Sequence, residues 1–316
     1  MQGNIRIISM NCRGLGDSRK RQDIFSYLKS KHYEICCIQD THFVPNIENE
    51  IRREWGGKCF LSCNTSNSRG VAILFKDTVP VNINRTKIDN NGNSVVLDLT
   101  LYEYNITLVA IYGPNTDNPN FFVELQHKVA EFDNPHNIFC GDWNLVQDQV
   151  LDTFNYLHVN NPRSKAHVEK MKKEMDLCDP WRVQFPCKRN YTWRQPNPFK
   201  QSRLDFFSIS SEMLSVVHNV DILPGYRTDH SLISLTLNLN KINRGPSYWK
   251  FNNCLLKIEG FVSQIKKTIK NTVLLYARNT IEFDRLRNIE WSKLSSSKAN
   301  RLSSILTRCN RLSHLA

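Results

Sequence analysis

The sequence predicts an α/β fold in which two mixed β-sheets pack face to face with helices outside, and three observations lead there. Nine short β-rich runs are too many for one small open sheet. Amphipathic stretches lie among them without strict alternation, and no internal repeat stands out. In chain order, Ile5 to Asn11 reads as the first strand, and residues 18–30 follow with Ile24, Phe25 and Leu28 on one helical face. Strands are expected at Ile35 to Ile38, Val71 to Phe75, Ser94 to Leu101 and Ile106 to Tyr112, then a helix over 120–132 and a short strand at Ile138 to Cys140. A helix over 165–178 precedes the last three strands, Leu204 to Ile209, Val216 to Leu223 and Leu232 to Leu237. Pro and Asn clusters at 113–120, 160–162 and 196–198 mark loops. This body, residues 1–240, ends where KINRGPS (241–247) reads as a linker. Beyond it, Ile258, Phe261, Val262, Ile265, Ile269, Val273 and Tyr276 follow helical spacing, and the serine-rich stretch after 291 reads as weakly ordered.

Composition narrows the function classes. Hydrophobic residues at 40% and charged residues at 23% are ordinary for a globular chain, which excludes extended disorder. The longest apolar runs, VAILF and ITLVAIY, fall well short of the roughly 18 residues a membrane span needs. The opening residues read as a buried strand and not as a signal peptide, so a nuclear or cytoplasmic, non-secreted protein is expected. Ten cysteines in 316 residues are too dilute for a disulfide scaffold, and Cys59 and Cys63 read as free thiols near a strand. The net charge of +12 is unevenly placed: 15 basic and 4 acidic residues fall at 241–316, leaving the first 240 residues near neutral. A near-neutral body with carboxylates to spare suits a metal-dependent site, and the basic tail suits either loose phosphate contact or a solvated helical face.

Polar residues at strand ends are the candidates for chemistry. SMNCRGL offers Asn11, CIQDTH offers Asp40 and His42, and ITLVAIYGPN offers Tyr112 and Asn115. IFCGDWN places Asp142 and Asn144 past a buried run, SRLDFF sets Asp205 inside an apolar strand, and YRTDHSLISL delivers Asp229 and His230 at the last strand. GD and TD pairs also form turns or caps, and a strand-end Asn often bonds its own backbone. Asp205 resists such a reading, because an unpaired carboxylate among Leu204, Phe206 and Phe207 is costly to bury; it requires a partner, and a histidine is the natural one. Carboxylates for a hard divalent cation, a histidine oriented by a buried acid, and amides and a phenol near an anion together suit phosphoester hydrolysis. No P-loop, GxGxxG or HExxH is present, so nucleotide-driven, dinucleotide-dependent and zincin chemistries are excluded.

These segments, in this order over residues 4–238, resemble the endonuclease/exonuclease/phosphatase superfamily. SNSRGVAILF (66–75), YTWRQ (191–195) and GPSYWKFNN (245–253) are similar to the endonuclease of LINE-type, non-LTR retrotransposons. The resemblance implies a four-layered α/β sandwich that nicks double-stranded DNA with Mg²⁺, or Mn²⁺ in its place, and leaves a 3′-hydroxyl from which a reverse transcriptase primes. It implies a monomer without a small-molecule cofactor or a membrane partner. It also implies that residues 241–316 are a basic linker and helical extension ahead of a polymerase this sequence does not include.

Carried over by position, the resemblance gives Asn11 and Asp40 to the metal end. Asp142 orients or deprotonates the attacking water, with Asn144 beside it. Tyr112 and His230 contact the scissile phosphate, Asp205 fixes the His230 tautomer, and Asp229 assists metal or leaving group. Thr192 becomes a phosphate contact, with Arg194, Asn115 and Lys200 as further DNA contacts, while Trp193 fits either the groove or the core. One departure stands out: the family pattern has Glu where this sequence reads Asp40 after Gln39, one methylene shorter at a metal with strict ligand distances of about 2.0–2.1 Å. Two other readings share these residues: an impaired retroelement fragment that only binds nucleic acid, and a superfamily phosphatase or abasic-site nuclease.

Overall fold

A computed structural model describes residues 4–156, 159–239 and 259–276. The chain divides into two compact units, Met1–Asn243 and Arg244–Ala316. In the first unit the elements begin β1 (Asn4–Asn11), α1 (Ser18–Ser30), β2 (Ile35–Gln39), α2 (Glu48–Trp55), β3 (Cys59–Ser62), β4 (Val71–Phe75), β5 (Val81–Ile88), β6 (Ser94–Leu101) and β7 (Tyr104–Tyr112). They continue α3 (Pro119–Ala130), β8 (His136–Asp142), β9 (Thr153–Phe154), α4 (Pro162–Glu174), β10 (Leu177–Cys178), α5 (Pro180–Gln184), β11 (Trp193–Pro196), β12 (Phe199–Ser202), β13 (Asp205–Ser210), β14 (Val217–Leu223) and β15 (Leu232–Asn238). In the second unit α6 spans Glu259–Tyr276, where helical spacing was expected. The linker at 241–247 and the serine-rich stretch after 291 lie outside the described residues.

Two six-stranded sheets form, ordered β14-β15-β1-β2-β4-β3 and β10-β13-β8-β7-β6-β5, with a small sheet β11-β12-β9 beside them. Each large sheet has one parallel pair, β1 with β2 and β7 with β8, among antiparallel neighbours. Ile5, Ile7, Cys37 and Ile73 of the first sheet meet Leu97, Leu108, Cys140 and Phe207 of the second in a shared core. On the outer face of the first sheet, Met10, Ile38 and Leu74 pack against Ile24, Phe25 and Leu28 of α1 and Trp55 of α2. On the outer face of the second, Val109, Phe139 and Phe206 pack against Phe122 and Leu125 of α3 and Met171 of α4. The result is the four-layered sandwich. Burial on both faces explains why β2 and β4 read as unbroken apolar runs instead of alternating.

All nine expected strands are present, and the differences have local causes. The helix expected over 165–178 stops at Glu174, because Asp176 takes a left-handed φ of 48° and Leu177–Cys178 then pair with β13 as β10. β5 and β3 are edge strands with mixed or short patterns. α2 buries only Ile51 and Trp55, too few to show a period. Cys59 and Cys63 are free thiols, one at the start of β3 and one just beyond it.

Candidate active site

The topology brings the polar strand ends to one edge of the sandwich. Parallel pairing aligns the end of β1 with the end of β2, matching Asn11 to Gln39, and the end of β7 with that of β8, matching Tyr112 to Asp142. β13 runs antiparallel to β8, so its first residue, Asp205, lies opposite Asp142. β15 runs antiparallel to β1, which places His230, just before it, at the same edge. Gly141 lets this happen: its φ is 146°, and a Cβ there would meet the Ile111 carbonyl oxygen at 2.0 Å, so any side chain would push β8 off β7.

At the centre, His230 Nδ1 lies 2.9 Å from Asp205 Oδ2, and its Nε2 faces Asp142 Oδ2 at 3.8 Å. Asp205 is fully buried and does have an imidazole partner. Asn11 Nδ2 donates to Asp142 Oδ2 at 2.9 Å, joining the two large sheets, and the Asn144 amide donates to Asp142 Oδ1 at 2.9 Å. The Asn144 side chain donates to the Gly113 carbonyl, so it shapes the loop after β8. Burial, with the Asp205 charge adding to it, raises the Asp142 carboxyl to about 6; His230, Asn11 and the Asn144 amide oppose that rise. Burial opposes charge on His230, but the carboxylates of Asp205, Asp142 and Asp229 outweigh it and raise the imidazole to about 9. Burial and the charges of Asp40 and Asp142 push the Tyr112 phenol up, so it stays protonated.

Asp40 follows β2 with a φ of 51°, and its Oδ1 lies 3.1 Å from His42 Nε2 and accepts the Arg69 amide at 3.1 Å. Asp229 Oδ2 accepts from Arg13 Nη1 at 3.2 Å, while its Oδ1 is buried without a hydrogen bond. Thr228 Oγ1 donates to the Asn11 carbonyl. Arg13, Thr228 and Arg69 escaped the sequence reading, because their partners lie far off in the chain and no local pattern announces them. Asn93, buried at the end of a tight turn, donates to the Tyr112 carbonyl and escaped for the same reason.

The expected DNA contacts divide. Asn115 and Arg194 are exposed, with Arg194 Nη1 donating to Ser231 Oγ at 2.9 Å. Lys200 is half-buried over the Tyr156 ring, and Trp193 is half-buried and bridges His230 through the backbone. Thr192 is fully buried, and its Oγ1 accepts the amides of Leu204 and Asp205.

Among the described residues, Asp142, Asp205 and His230 form a group of metal-competent atoms within 4.8 Å of one another. An imidazole held between two carboxylates suits proton handling better than Mg²⁺, which prefers oxygen donors. Asp40, Asn11 and Asp229 supply such oxygens, and the unpartnered Asp229 Oδ1 is an acceptor a cation would satisfy. The donor set fits a hard divalent cation.

The family model described as the endonuclease/exonuclease/phosphatase family matches residues 8–230. The chain belongs to the endonuclease/exonuclease/phosphatase family. Members of this family hydrolyse phosphoester bonds. The chain is similar to the transposon TX1 uncharacterized 149 kDa protein of Xenopus laevis, 26% identical over 273 residues, covering 84% of this chain and 20% of that protein. It therefore spans about a fifth of that relative's length. Its fold is shared with an AP endonuclease from Leishmania major, with a TM-score of 0.62, 16% identity and coverage of 74% and 88% of the two chains. An AP endonuclease from Archaeoglobus fulgidus gives 0.59, 16%, 74% and 100%. Among the described residues no helix is long and apolar enough to cross a membrane.

Proposed function

We propose that residues 1–240 form a divalent-metal-dependent endonuclease that hydrolyses one phosphodiester of double-stranded DNA and leaves a 3′-hydroxyl nick, as in target-primed retrotransposition. The observation that carries this reading is the Asp205–His230–Asp142 arrangement, with contacts of 2.9 and 3.8 Å. Similarity to a transposon protein supports the retroelement setting. With Asp142 raised to about 6 and His230 to about 9, the first is ionised and the second protonated at neutral pH. Asp142 accepts a proton from the attacking water as the P–O3′ bond breaks, the departing 3′-oxygen takes its proton from solvent water, and Asn11 and the Asn144 amide hold the Asp142 carboxylate in place. The His230 imidazolium and the Tyr112 phenol donate hydrogen bonds to the phosphate oxygens as negative charge grows in the transition state. Asp205 fixes the ring with Nε2 facing the reaction. Asp40, Asn11 and Asp229 would hold Mg²⁺ or Mn²⁺, which supplies charge neutralisation at the phosphate and leaving group.

Purified protein with supercoiled plasmid and Mg²⁺ is expected to yield relaxed circles, and EDTA should stop the reaction. Asp142→Ala should lose about 10²–10⁴-fold in rate. The reading fails if no relaxed circle forms, or if the variant nicks as well as the parent. Competition with abasic duplex and soluble phosphoinositol tests the substrate: a phosphoinositol preference would overturn DNA.

Asp40→Glu restores the missing methylene. A ligand bond improved by about 1.4 kcal/mol lowers the Mg²⁺ concentration for half-maximal nicking about tenfold, and a metal titration of the nicking rate measures this. An unchanged titration would show that the shortened acid does not limit metal binding.

A further inference from the structure

We propose that Thr192 is a positioning residue that sets Asp205 against His230, and not a contact to DNA; its catalytic consequence rests on the hydrolytic reading above. Asp205 opens a strand of one large sheet and His230 lies two residues before a strand of the other, so among the described residues no β-ladder of either large sheet pairs the two. Thr192 spans that gap with four hydrogen bonds. Its amide donates to the Ser202 carbonyl at 2.9 Å, and its carbonyl accepts the Ser231 amide at 2.6 Å. Its Oγ1 accepts the amides of Leu204 and Asp205, each at 3.0 Å. One residue thus grips the backbone of Asp205 itself and the amide next after His230. The neighbouring Trp193 adds a backbone bridge to His230. Gly225 tightens the other side, since a Cβ there would meet the His230 carbonyl oxygen at 1.8 Å.

The threonine hydroxyl is the only part of this clamp a substitution can remove without touching the backbone. Valine keeps the shape and deletes the acceptor, leaving two buried amides unpaired at the start of β13. The strand can recover partners only by shifting, and a shift moves the carboxylate relative to the ring. Catalytic geometry is sensitive on that scale, with about 10²-fold lost for a displacement of about 1 Å. Serine keeps the oxygen and should keep the function.

Plasmid nicking, DNA affinity and proton NMR of the whole chain test this. Thr192→Val is expected to lower kcat by about 10–100-fold with KM and DNA affinity unchanged, and Thr192→Ser to retain the parental rate. The low-field Nδ1–H resonance of His230, assigned by its absence in His230→Gln, should be present in the parent and the serine variant and lost or moved upfield with valine. Should the valine chain not fold, Thr192→Ala is read by the same measurements. A valine variant that raises KM with kcat and the resonance intact would overturn the proposal in favour of a DNA contact. One that matches the parent throughout would overturn it outright. If the parent nicks nothing, the hydrolytic reading falls, and the resonance, which needs no turnover, still decides whether Thr192 sets the pair.

Discussion

Asp205→Asn is expected to lower kcat/KM for nicking by about 10²–10⁴-fold, with the protein still folded. The carboxylate sits 2.9 Å from His230 Nδ1 and is fully buried, so nothing else can take its place. Asparagine keeps the volume but removes the charge that holds the imidazolium, and its amide can donate to Nδ1, which favours the wrong tautomer. The pH profile separates this cause from general damage. In the parent, kcat/KM should rise as Asp142 ionises near pH 6 and fall as His230 loses its proton near pH 9. His230 is raised from its ordinary 6.5 against the opposing effect of burial, and the Asp205 charge is the foremost cause of the rise. Removing it must move the alkaline limb to lower pH. The Asp205 charge also raises Asp142, so the acid limb should move down as well. An activity loss with both limbs in place would show that Asp205 does not tune this pair.

Much of this site was legible in the chain because burial makes polar residues conspicuous. Asp205 stands inside LDFF, where only a partnered carboxylate is affordable, and the partner it required is His230. Asp142 and Tyr112 were legible as polar residues directly after apolar runs that had to be buried strands. The sandwich was legible for a related reason: VAILF and ICCI lack alternation, which strands covered on both faces do not need. Thr192 shows what remained hidden. Its hydroxyl looks free in YTWRQ, and only the return of the chain at Leu204 and Asp205 consumes it. Arg13 is similar, since its carboxylate partner Asp229 lies 216 residues away. The hairpin β11–β12 escaped for a different reason. WRQP and FKQS carry too little apolar periodicity to read as strands, and pairing with β9 supplies what propensity does not.

Arg203→Met is expected to cost about 3–5 kcal/mol of stability. Arg203 is 1% exposed and has Asp152 and Asp179 as its partners. Its Nε and Nη2 donate to the two oxygens of Asp152 at 2.8 and 3.1 Å, and its Nη1 donates to Asp179 Oδ2 at 2.6 Å. Asp179 also caps α5 through the amides of Trp181 and Arg182, and Asp152 receives Arg182 as well. Methionine fills the slot between the Trp181 and Phe206 rings but takes the paired guanidinium from both acids, leaving Asp179 the through-space charge of Lys172 and Asp152 the ion pair with Arg182. Lysine should be little better, because an ammonium cannot serve both acids in this fork geometry. Urea midpoints give the size of the loss, and their pH dependence gives its origin. In the parent, burial opposes ionisation of Asp179, but the Arg203 charge holds its carboxyl below the ordinary 3.8. Its stabilising contribution is therefore present above pH 3.8 and lost as pH falls through the lower, folded-state value. In the variant burial is opposed by Lys172 and the capping amides without the guanidinium, so that carboxyl rises relative to the parent and less stability should be lost on acidification than the parent loses. A variant losing less than about 1 kcal/mol, with parental pH dependence, would show that the network contributes no more than a surface ion pair. Arg203 lies two residues before Asp205, so the same network adjoins the start of β13, from which the carboxylate paired with His230 projects.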